Sequence, residues 1–167
     1  LYDRVAERYS HIPTMLIHSR FRRSDRSDLE TQLTSDYNRK PGACIVVSTQ
    51  VVEVSLDISF DAMITECAPI DALIQRFGRV NRKRSTETIG QYKPVYVIAP
   101  PEDKDAPLPY TPDVLRRTFD VIPDHGELME ERQVQSMIDQ VYDHLELENI
   151  DFSGVAFSDG HWKLKEL

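Results

Sequence analysis

The segment with the clearest chemistry covers residues 75–82 and reads QRFGRVNR. In a helix, Gln75, Arg79 and Arg82 fall at about 0°, 40° and 340° around the axis and share one narrow face. Gly78 lies near that face and would let a bulky anion approach closely. Two guanidinium groups beside an amide form a fork that binds phosphate oxygens and neutralises charge on a transferring phosphoryl group. A solvated basic helix face fits the spacing equally well, so both interpretations stay open.

A second candidate segment covers residues 48–59 and reads STQVVEVSLDIS. It follows residues 43–47, a continuous and mostly β-branched run that is typical of a parallel strand buried on both faces. Ligands bind at the carboxyl ends of such strands. There, Thr49 could donate its hydroxyl to a backbone phosphate, and Asp57 could accept from a ribose hydroxyl. A capped turn between two strands is the alternative interpretation.

The third candidate segment is basic, covers residues 19–26 and reads SRFRRSDR. It follows the short apolar run of residues 14–18, and so it lies at another predicted strand end. Basic loops at strand ends contact phosphates, although a solvated charge cluster is the default interpretation. Phe21 lies among the arginines and could stack on a base or pack under the turn.

The elements that must position these segments follow from the apolar periodicity. A helix beginning at Ser24 carries an apolar residue every fourth position up to Tyr37, and another helix follows Pro69. The pattern predicts strands over residues 14–18, 43–47, 62–67 and 94–99. Alternating strands and helices predict an α/β domain with a mainly parallel sheet flanked by helices.

Charge divides the chain of 167 residues, whose formal net charge is −8. Residues 1–100 carry 14 basic and 12 acidic side chains, a net of +2, and we assign them to the α/β domain. Residues 101–167 carry 6 basic and 16 acidic side chains, a net of −10. An acidic total disfavours nucleic-acid binding, but the candidate segments all lie in the slightly positive part.

The acidic part divides again at its prolines. Residues 101–110 are rich in proline and predict a semi-rigid linker. Residues 111–167 are expected to form a helical extension, with amphipathic helices over about 111–123 and 128–145. The simplest interpretation is that these helices pack on the α/β core or on a neighbouring domain rather than serve a dedicated binding role.

Composition argues against a membrane-spanning protein and against a secreted one. No apolar run approaches the roughly 20 residues that span a bilayer, and the charged first residues do not resemble a signal peptide. The two cysteines, Cys44 and Cys67, lack metal-ligand spacing and suggest a reducing compartment. The sequence therefore predicts a cytoplasmic protein with no membrane partner and no metal ligands of its own.

The three segments, in this order and spacing, resemble the second RecA-like lobe of superfamily two helicases. QRFGRVNR resembles the arginine-finger motif of that superfamily, Q-R-x-G-R-x-x-R. The strings HSRF, TQVVEVSLDISFD and ECAPIDALIQRFGRVNR, with asparagine rather than glycine at Asn81, are similar to the CRISPR-associated helicase–nuclease of type I systems. The surveillance complex Cascade recruits that effector to unwind and degrade target DNA.

The resemblance implies a role for each matching residue. Arg79 and Arg82 would reach the γ-phosphate of ATP as arginine fingers, with Gln75 beside them. Asp57 would meet the ribose or order its loop, and Gly78 would lie beside the nucleotide. Contacts to the DNA backbone are implied for Thr49, Arg26, Arg20 and Ser19. Val54 and Ser55 stand where many superfamily members have Arg-Gly, so no role is carried over to position 54.

Other expected motifs are missing from the chain. It contains no G-x-x-x-x-G-K-[ST] phosphate loop, no D-E-x-[DH] magnesium motif and no nuclease-type histidine–aspartate pair. The resemblance also implies a strand before Leu1. We therefore expect a fragment of a larger protein, inactive alone, whose parent binds ATP and Mg2+ mainly through a first RecA-like lobe. The expected partners are single-stranded DNA, that first lobe, a nuclease domain and a Cascade-type complex.

Two other functions stay open at this point. The chain could be a non-enzymatic lobe that holds DNA or docks a partner protein. It could also belong to another superfamily two RNA or DNA helicase, because both nucleic acids present phosphates.

Overall fold

The fold is described here from a computed structural model. It describes residues 1–37, 42–53, 57–83, 86, 88, 90–102, 109–124, 126–142, 155–158 and 161–164. In this part of the chain, no helix is both long and apolar enough to cross a membrane. Val54, Ser55 and most of the predicted linker lie outside the described residues.

Helices and strands alternate along the first hundred residues, and two helices and a hairpin follow. In chain order the elements are α1 (Tyr2–Arg8), β1 (Thr14–Ile17), α2 (Arg23–Gln32), β2 (Ile45–Ser48), β3 (Met63–Glu66), α3 (Ile70–Phe77), β4 (Val95–Ile98), α4 (Pro112–Val121), α5 (Glu131–Tyr142), β5 (Val155–Ser158) and β6 (His161–Leu164). A π-helical turn, Leu33–Tyr37, continues α2, and a 3₁₀ turn, Gln50–Val52, follows β2.

The strands of the first hundred residues form two parallel pairs. β1 pairs with β2 so that Ile17 lies opposite Ser48, and β3 pairs with β4 so that Glu66 lies opposite Ile98. Parallel pairing brings the carboxyl ends of paired strands to one edge. The segments after β1 and β2 therefore start side by side, as the sequence predicts.

Three apolar clusters hold these elements together. Met15, Leu33 and Ile58 join β1 and the α2 end to the segment before β3. A second cluster, around Leu73, packs α3 against β4. In the third, Ile70 of α3 contacts Met137 and Val141 of α5. This third cluster confirms the interpretation that the helices after the linker pack on the α/β core.

Two predictions about the fold are wrong. The strand β2 is only half-buried along Ile45, Val46 and Val47, because among the described residues β1 and one apolar cluster cover it. The extension is also not wholly helical, since β5 and β6 form an antiparallel hairpin in which Val155 lies opposite Leu164. Alternating residues in each short strand gave too weak a period to predict it.

Candidate functional site

The QRFGRVNR segment begins as helix and leaves it early. Helix α3 ends at Phe77, and the backbone N–H groups of Arg79 and Val80 donate to the carbonyls of Arg76 and Phe77 at 2.9 Å each. These bonds, from residue i+3 to residue i, tighten the last turn. The prediction that Gln75, Arg79 and Arg82 share a helical face is therefore wrong.

The chain leaves the helix because a second backbone competes for its hydrogen bonds. The N–H of Phe60 donates to the Arg79 carbonyl at 2.9 Å, and the N–H of Asn81 donates to the Phe60 carbonyl at 3.0 Å. The N–H of Arg82 donates to the Ser59 hydroxyl at 3.0 Å. The finger turn, which we define as residues 78–83, thus lies along the end of the STQVVEVSLDIS segment.

Asn81 shapes this turn through its backbone. Its φ of +50° lies in the left-handed region, which asparagine tolerates better than most residues other than glycine. Its side-chain Nδ2 also donates to the Gln91 carbonyl at 2.8 Å. An asparagine therefore suits the position where the broader helicase motif carries glycine, and it redirects the chain just before Arg82.

Arg79 is the buried arginine of the finger turn. It is 8% exposed, and its Nη2 donates to the backbone carbonyl of Glu53 at 2.6 Å. Burial lowers the pKa of the Arg79 guanidinium, the nearby Arg82 charge lowers it further, and Asp57 opposes both. An arginine so placed is held at a fixed position rather than solvated.

Arg82 is the exposed arginine of the turn. Its Nε lies 3.3 Å from Oδ1 of Asp57, and the two side chains are 44% and 78% exposed. Such an exposed ion pair separates at little cost when a stronger anion arrives. The structure thus brings Arg79, Arg82 and Asp57 together, with one cation fixed and one accessible.

Gln75 and Gly78 are both exposed at this end of α3. Gly78 has a φ of −61°, which any residue adopts, and an added Cβ would meet only its own turn, 3.4 Å from the Gln75 carbonyl oxygen. Its backbone conformation therefore does not require glycine. Its backbone is exposed at the end of α3.

Two residues that the sequence analysis missed, Arg76 and Glu53, form an ion pair beside the finger turn. The Nε of Arg76 lies 2.7 Å from Oε1 of Glu53, and both side chains are largely buried, at 14% and 12% exposed. Arg76 Nη1 also donates to the Thr65 hydroxyl at 2.8 Å. The sequence did contain a signal that Arg76 is paired. Arg76 lies about 60° around the helix from Leu73, on the side that is buried, and a buried charge needs a partner.

The other predicted contacts lie at the edge where β1 and β2 end. Ser19, Arg20 and Thr49 are exposed there, and the Thr49 N–H continues the strand pairing by donating to the Ile17 carbonyl at 3.3 Å. This edge, which we call the strand-end edge, presents a hydroxyl, a guanidinium and a second hydroxyl from adjacent chain segments. Such donors suit phosphate oxygens.

Two residues of the basic segment have partners three or four residues away in the chain, just outside that segment. Phe21 stacks on His18 with ring centroids 4.1 Å apart and an interplanar angle of 8°. Arg26 lies in α2, where its Nε is 2.7 Å from Oε1 of Glu30. Arg26 therefore points from the helix surface and is not part of the loop after β1.

The donor set of the finger turn suits a polyphosphate and does not suit Mg2+. Mg2+ requires six oxygen ligands in near-octahedral geometry. Here Arg79 and Arg82 lie near the Asp57 carboxylate, which is already paired with Arg82. Across the described residues, no three His, Cys, Asp or Glu side chains are grouped to hold a metal.

Residues 1–85 match the family model described as CRISPR-associated nuclease/helicase Cas3, C-terminal. The CRISPR-associated endonuclease/helicase Cas3 of Thermus thermophilus is 31% identical over 137 residues, which are 77% of this chain and 15% of the relative. The crystal structure of T. fusca Cas3-AMPPNP matches with a TM-score of 0.68 and 28% identity, over 87% of this chain and 19% of that one. A structure described as a CRISPR RNA-guided surveillance complex, pre-nicking, matches with a TM-score of 0.60 and 25% identity, over 91% of this chain and 21% of that one.

The chain thus spans about a fifth or less of the length of these relatives. Its α/β architecture is that of their RecA-like helicase lobes, which confirms the predicted fold class. The family match also excludes the alternative that the chain belongs to another superfamily two family. By sequence and by fold, the chain belongs to the Cas3 family of CRISPR-associated nuclease/helicases and corresponds to part of its C-terminal region.

Proposed function

We propose that the chain is the second RecA-like lobe of an ATP-dependent DNA helicase–translocase that acts in type I CRISPR interference. It contributes arginine fingers and part of the single-stranded DNA track. Residues 1–100 are the lobe, 101–110 a linker and 111–167 an extension. The solved relatives support this proposal, because one is described with AMPPNP and another as a CRISPR RNA-guided surveillance complex.

The observation that carries the proposal is the pair of arginines on the finger turn. Arg79 is fixed by the Glu53 carbonyl, and Arg82 is accessible beside Asp57. Guanidinium groups held before the reaction stabilise the charge that spreads over the γ-phosphoryl oxygens without reorganisation during transfer. Arg82 exchanges its exposed carboxylate partner for these oxygens at little cost, because an exposed pair contributes only about 0–1 kcal/mol.

The phosphates of ATP would be shared between this chain and a first RecA-like lobe. The described residues fit the anionic end of the nucleotide, with Gln75 and Gly78 exposed beside the two arginines. They do not supply Mg2+ ligands, so we assign the magnesium and the phosphate loop to the first lobe. Asp57 orders Arg82 in this arrangement, and its carboxylate turns to the ribose when Arg82 moves to phosphate.

The strand-end edge would follow the DNA backbone. Ser19, Arg20 and Thr49 present hydrogen-bond donors there, and Arg26 adds charge from α2. Contacts to phosphates are independent of base sequence, as a translocating motor requires. We assign the protein to the cytoplasm, where the target DNA lies. The remaining partners that we propose are the first lobe, a nuclease domain and a Cascade-type surveillance complex.

The test is Arg79→Ala in the longer protein to which we assign the chain. We expect DNA-stimulated ATP hydrolysis to fall about 10³-fold or more, since an arginine finger contributes about 10³–10⁵ in rate. Arg116→Ala is the matched control, because Arg116 is an exposed arginine of α4 whose Nη1 lies 3.5 Å from Asp113 Oδ1 within the same helix. Near-normal hydrolysis by Arg79→Ala would reject the assigned role.

A second measurement tests the half-site. The 167-residue chain alone should hydrolyse ATP no faster than a buffer blank, whereas a mixture with the first lobe should gain activity. Magnesium-dependent hydrolysis by the pure chain would contradict the proposal. DNA binding without any ATPase in the longer protein would favour a non-enzymatic lobe instead.

A further inference from the structure

Glu53 contacts two arginines of the QRFGRVNR segment through two different groups. Its carboxylate Oε1 accepts from Arg76 Nε at 2.7 Å, and its backbone carbonyl accepts from Arg79 Nη2 at 2.6 Å. The side-chain bond holds the residue, and the backbone bond holds the guanidinium of the buried finger. The position of Arg79 therefore depends on where the Glu53 backbone lies.

Arg76 is itself fixed to β3. Its Nη1 donates to the Thr65 hydroxyl at 2.8 Å and to the Glu66 carbonyl at 3.1 Å. A planar guanidinium that binds three acceptors at once leaves little freedom for the carboxylate on its Nε edge. The rigid strand β3 thus determines where Glu53 lies, through Arg76.

Glu53 also lies one short turn after the strand-end edge in the chain. The 3₁₀ turn Gln50–Val52 separates it from Thr49, and the Glu53 N–H closes that turn by donating to the Gln50 carbonyl at 3.0 Å. One hydrogen-bonded turn thus connects Thr49 to Glu53. The same residue therefore lies between the proposed DNA contact and the proposed finger.

We propose that the buried Arg76–Glu53 ion pair is a positioning pair that orients Arg79 and transmits DNA contact at Thr49 to it. This inference rests on the proposed function. Neither Arg76 nor Glu53 touches the nucleotide in this scheme. They act through the Glu53 carbonyl, so their loss slows turnover without weakening ATP binding.

The experiment compares Glu53→Gln and Arg76→Lys in the longer protein, by ATPase kinetics with and without single-stranded DNA. Glutamine keeps an acceptor for Arg76 and removes the charge, whereas lysine keeps the charge but cannot bind Glu53, Thr65 and Glu66 in the same planar arrangement. We expect the DNA-stimulated kcat to fall about 10- to 100-fold in Arg76→Lys, as misplaced catalytic groups do. Glu53→Gln should fall less. In both, KM for ATP should stay within about twofold, and the ratio of the DNA-stimulated rate to the rate without DNA should fall.

The control is Asp113→Asn, which removes the charge of an exposed ion pair on α4. It should leave both rates and DNA stimulation unchanged. A pair with only a structural role would give a different pattern, with both rates falling in proportion to the folded fraction measured by circular dichroism. That pattern would overturn the inference.

Two further outcomes separate this inference from the function on which it rests. If Arg79→Ala abolishes hydrolysis while folded Arg76→Lys keeps its DNA stimulation, the positioning role is wrong and the proposed function stands. If Arg79→Ala keeps hydrolysis, the proposed function itself fails. Should Arg76→Lys not fold, Thr65→Val removes one acceptor and keeps the ion pair, and it should show a smaller loss of the same kind. Misfolding of all these variants would assign the pair to stability and overturn the inference.

Discussion

The arginines after β1 and the arginines around the end of α3 look alike in the sequence and differ in the structure. Arg26 pairs with Glu30 one helical turn away, and the two side chains are 43% and 28% exposed. Arg76 and Arg79 instead contact Glu53, more than 20 residues earlier in the chain. A contact within one helix fixes a side chain only relative to that helix, whereas a contact between elements fixes it relative to the fold. Chemistry that needs accurate placement therefore belongs to the second region.

The largest expected difference between the two regions is in stability. Arg76→Ala leaves the largely buried Glu53 carboxylate without its ion-pair partner, so we expect a loss of about 2–3 kcal/mol in the free energy of unfolding. Arg26→Ala should cost about 0.5 kcal/mol, since its pair is of the exposed i, i+4 kind. Urea unfolding of both variants, followed by circular dichroism, measures the two losses.

A control keeps this comparison specific to charge burial. Arg116→Ala on α4 removes another arginine from an exposed pair and should behave like Arg26→Ala. Equal losses for Arg76→Ala and Arg26→Ala would contradict the distinction between the regions.

Asn81 gives a sharper test of how the finger turn is held. Asn81→Val puts a β-branched residue at a φ of +50°, which should cost about 1–2 kcal/mol of stability. Asn81→Gly relieves the backbone strain. Its free energy of unfolding should therefore differ from that of the original chain by only a few tenths of a kcal/mol. Both variants lose the side-chain bond to Gln91, so their difference isolates the backbone. Similar unfolding midpoints for the two would show that the left-handed conformation is not what holds Arg82.

Tyr142 anchors the start of α3 and gives the region a pH dependence. Its hydroxyl donates to Asp71 Oδ1 at 2.6 Å, and burial together with this bond and the Asp71 charge raises the pKa of Tyr142 to about 12. Because the folded pKa lies above the unfolded value of 10.0, the stabilisation is complete below pH 10 and is lost as pH rises toward 12. Partial exposure limits the effect to about 1 kcal/mol.

The measurement is urea unfolding of the original chain and of Tyr142→Phe between about pH 8 and pH 12. The stability difference between them should shrink across that range as the tyrosine ionises. Taking a difference cancels the lysines and other tyrosines that titrate in both proteins. A constant difference at every pH would contradict the assigned hydrogen bond.

The sequence predicted the elements well wherever an apolar period was long enough. The strands β1 to β4, helix α3 after Pro69, and helix α4 within residues 111–123 all lie where the pattern put them. Each depends on local signals: β-branched runs, prolines and a stripe of apolar residues every three or four positions. The motif also names candidate site residues by spacing, and three of them, Arg79, Arg82 and Asp57, lie together in the structure.

What the sequence could not provide is the geometry of the finger turn. The helical periodicity extended α3 through Arg82. No residue near in sequence indicates that the backbone of Phe60 will bind the Arg79 carbonyl and the Asn81 N–H. The pairing of Arg76 with Glu53 is equally non-local. The end of α3 and the Arg76–Glu53 pair both depend on tertiary contacts between segments about 20 residues apart. Sequence periodicity carries no information on such contacts.

The smallest expected effect concerns DNA binding and contrasts the two regions directly. Arg20 is exposed at the strand-end edge, so Arg20→Ala in the longer protein should reduce the slope of log affinity against log salt by about 0.7, the value for one phosphate contact on a single strand. Arg79 is buried on the Glu53 carbonyl, so Arg79→Ala should leave that slope unchanged while it abolishes hydrolysis. The measurement is a titration of fluorescent single-stranded DNA across about 50–200 mM salt. The opposite result, in which the slope changes for Arg79→Ala and not for Arg20→Ala, would exchange the roles of the two regions. It would place the DNA on the finger turn and leave the strand-end edge without a phosphate to bind.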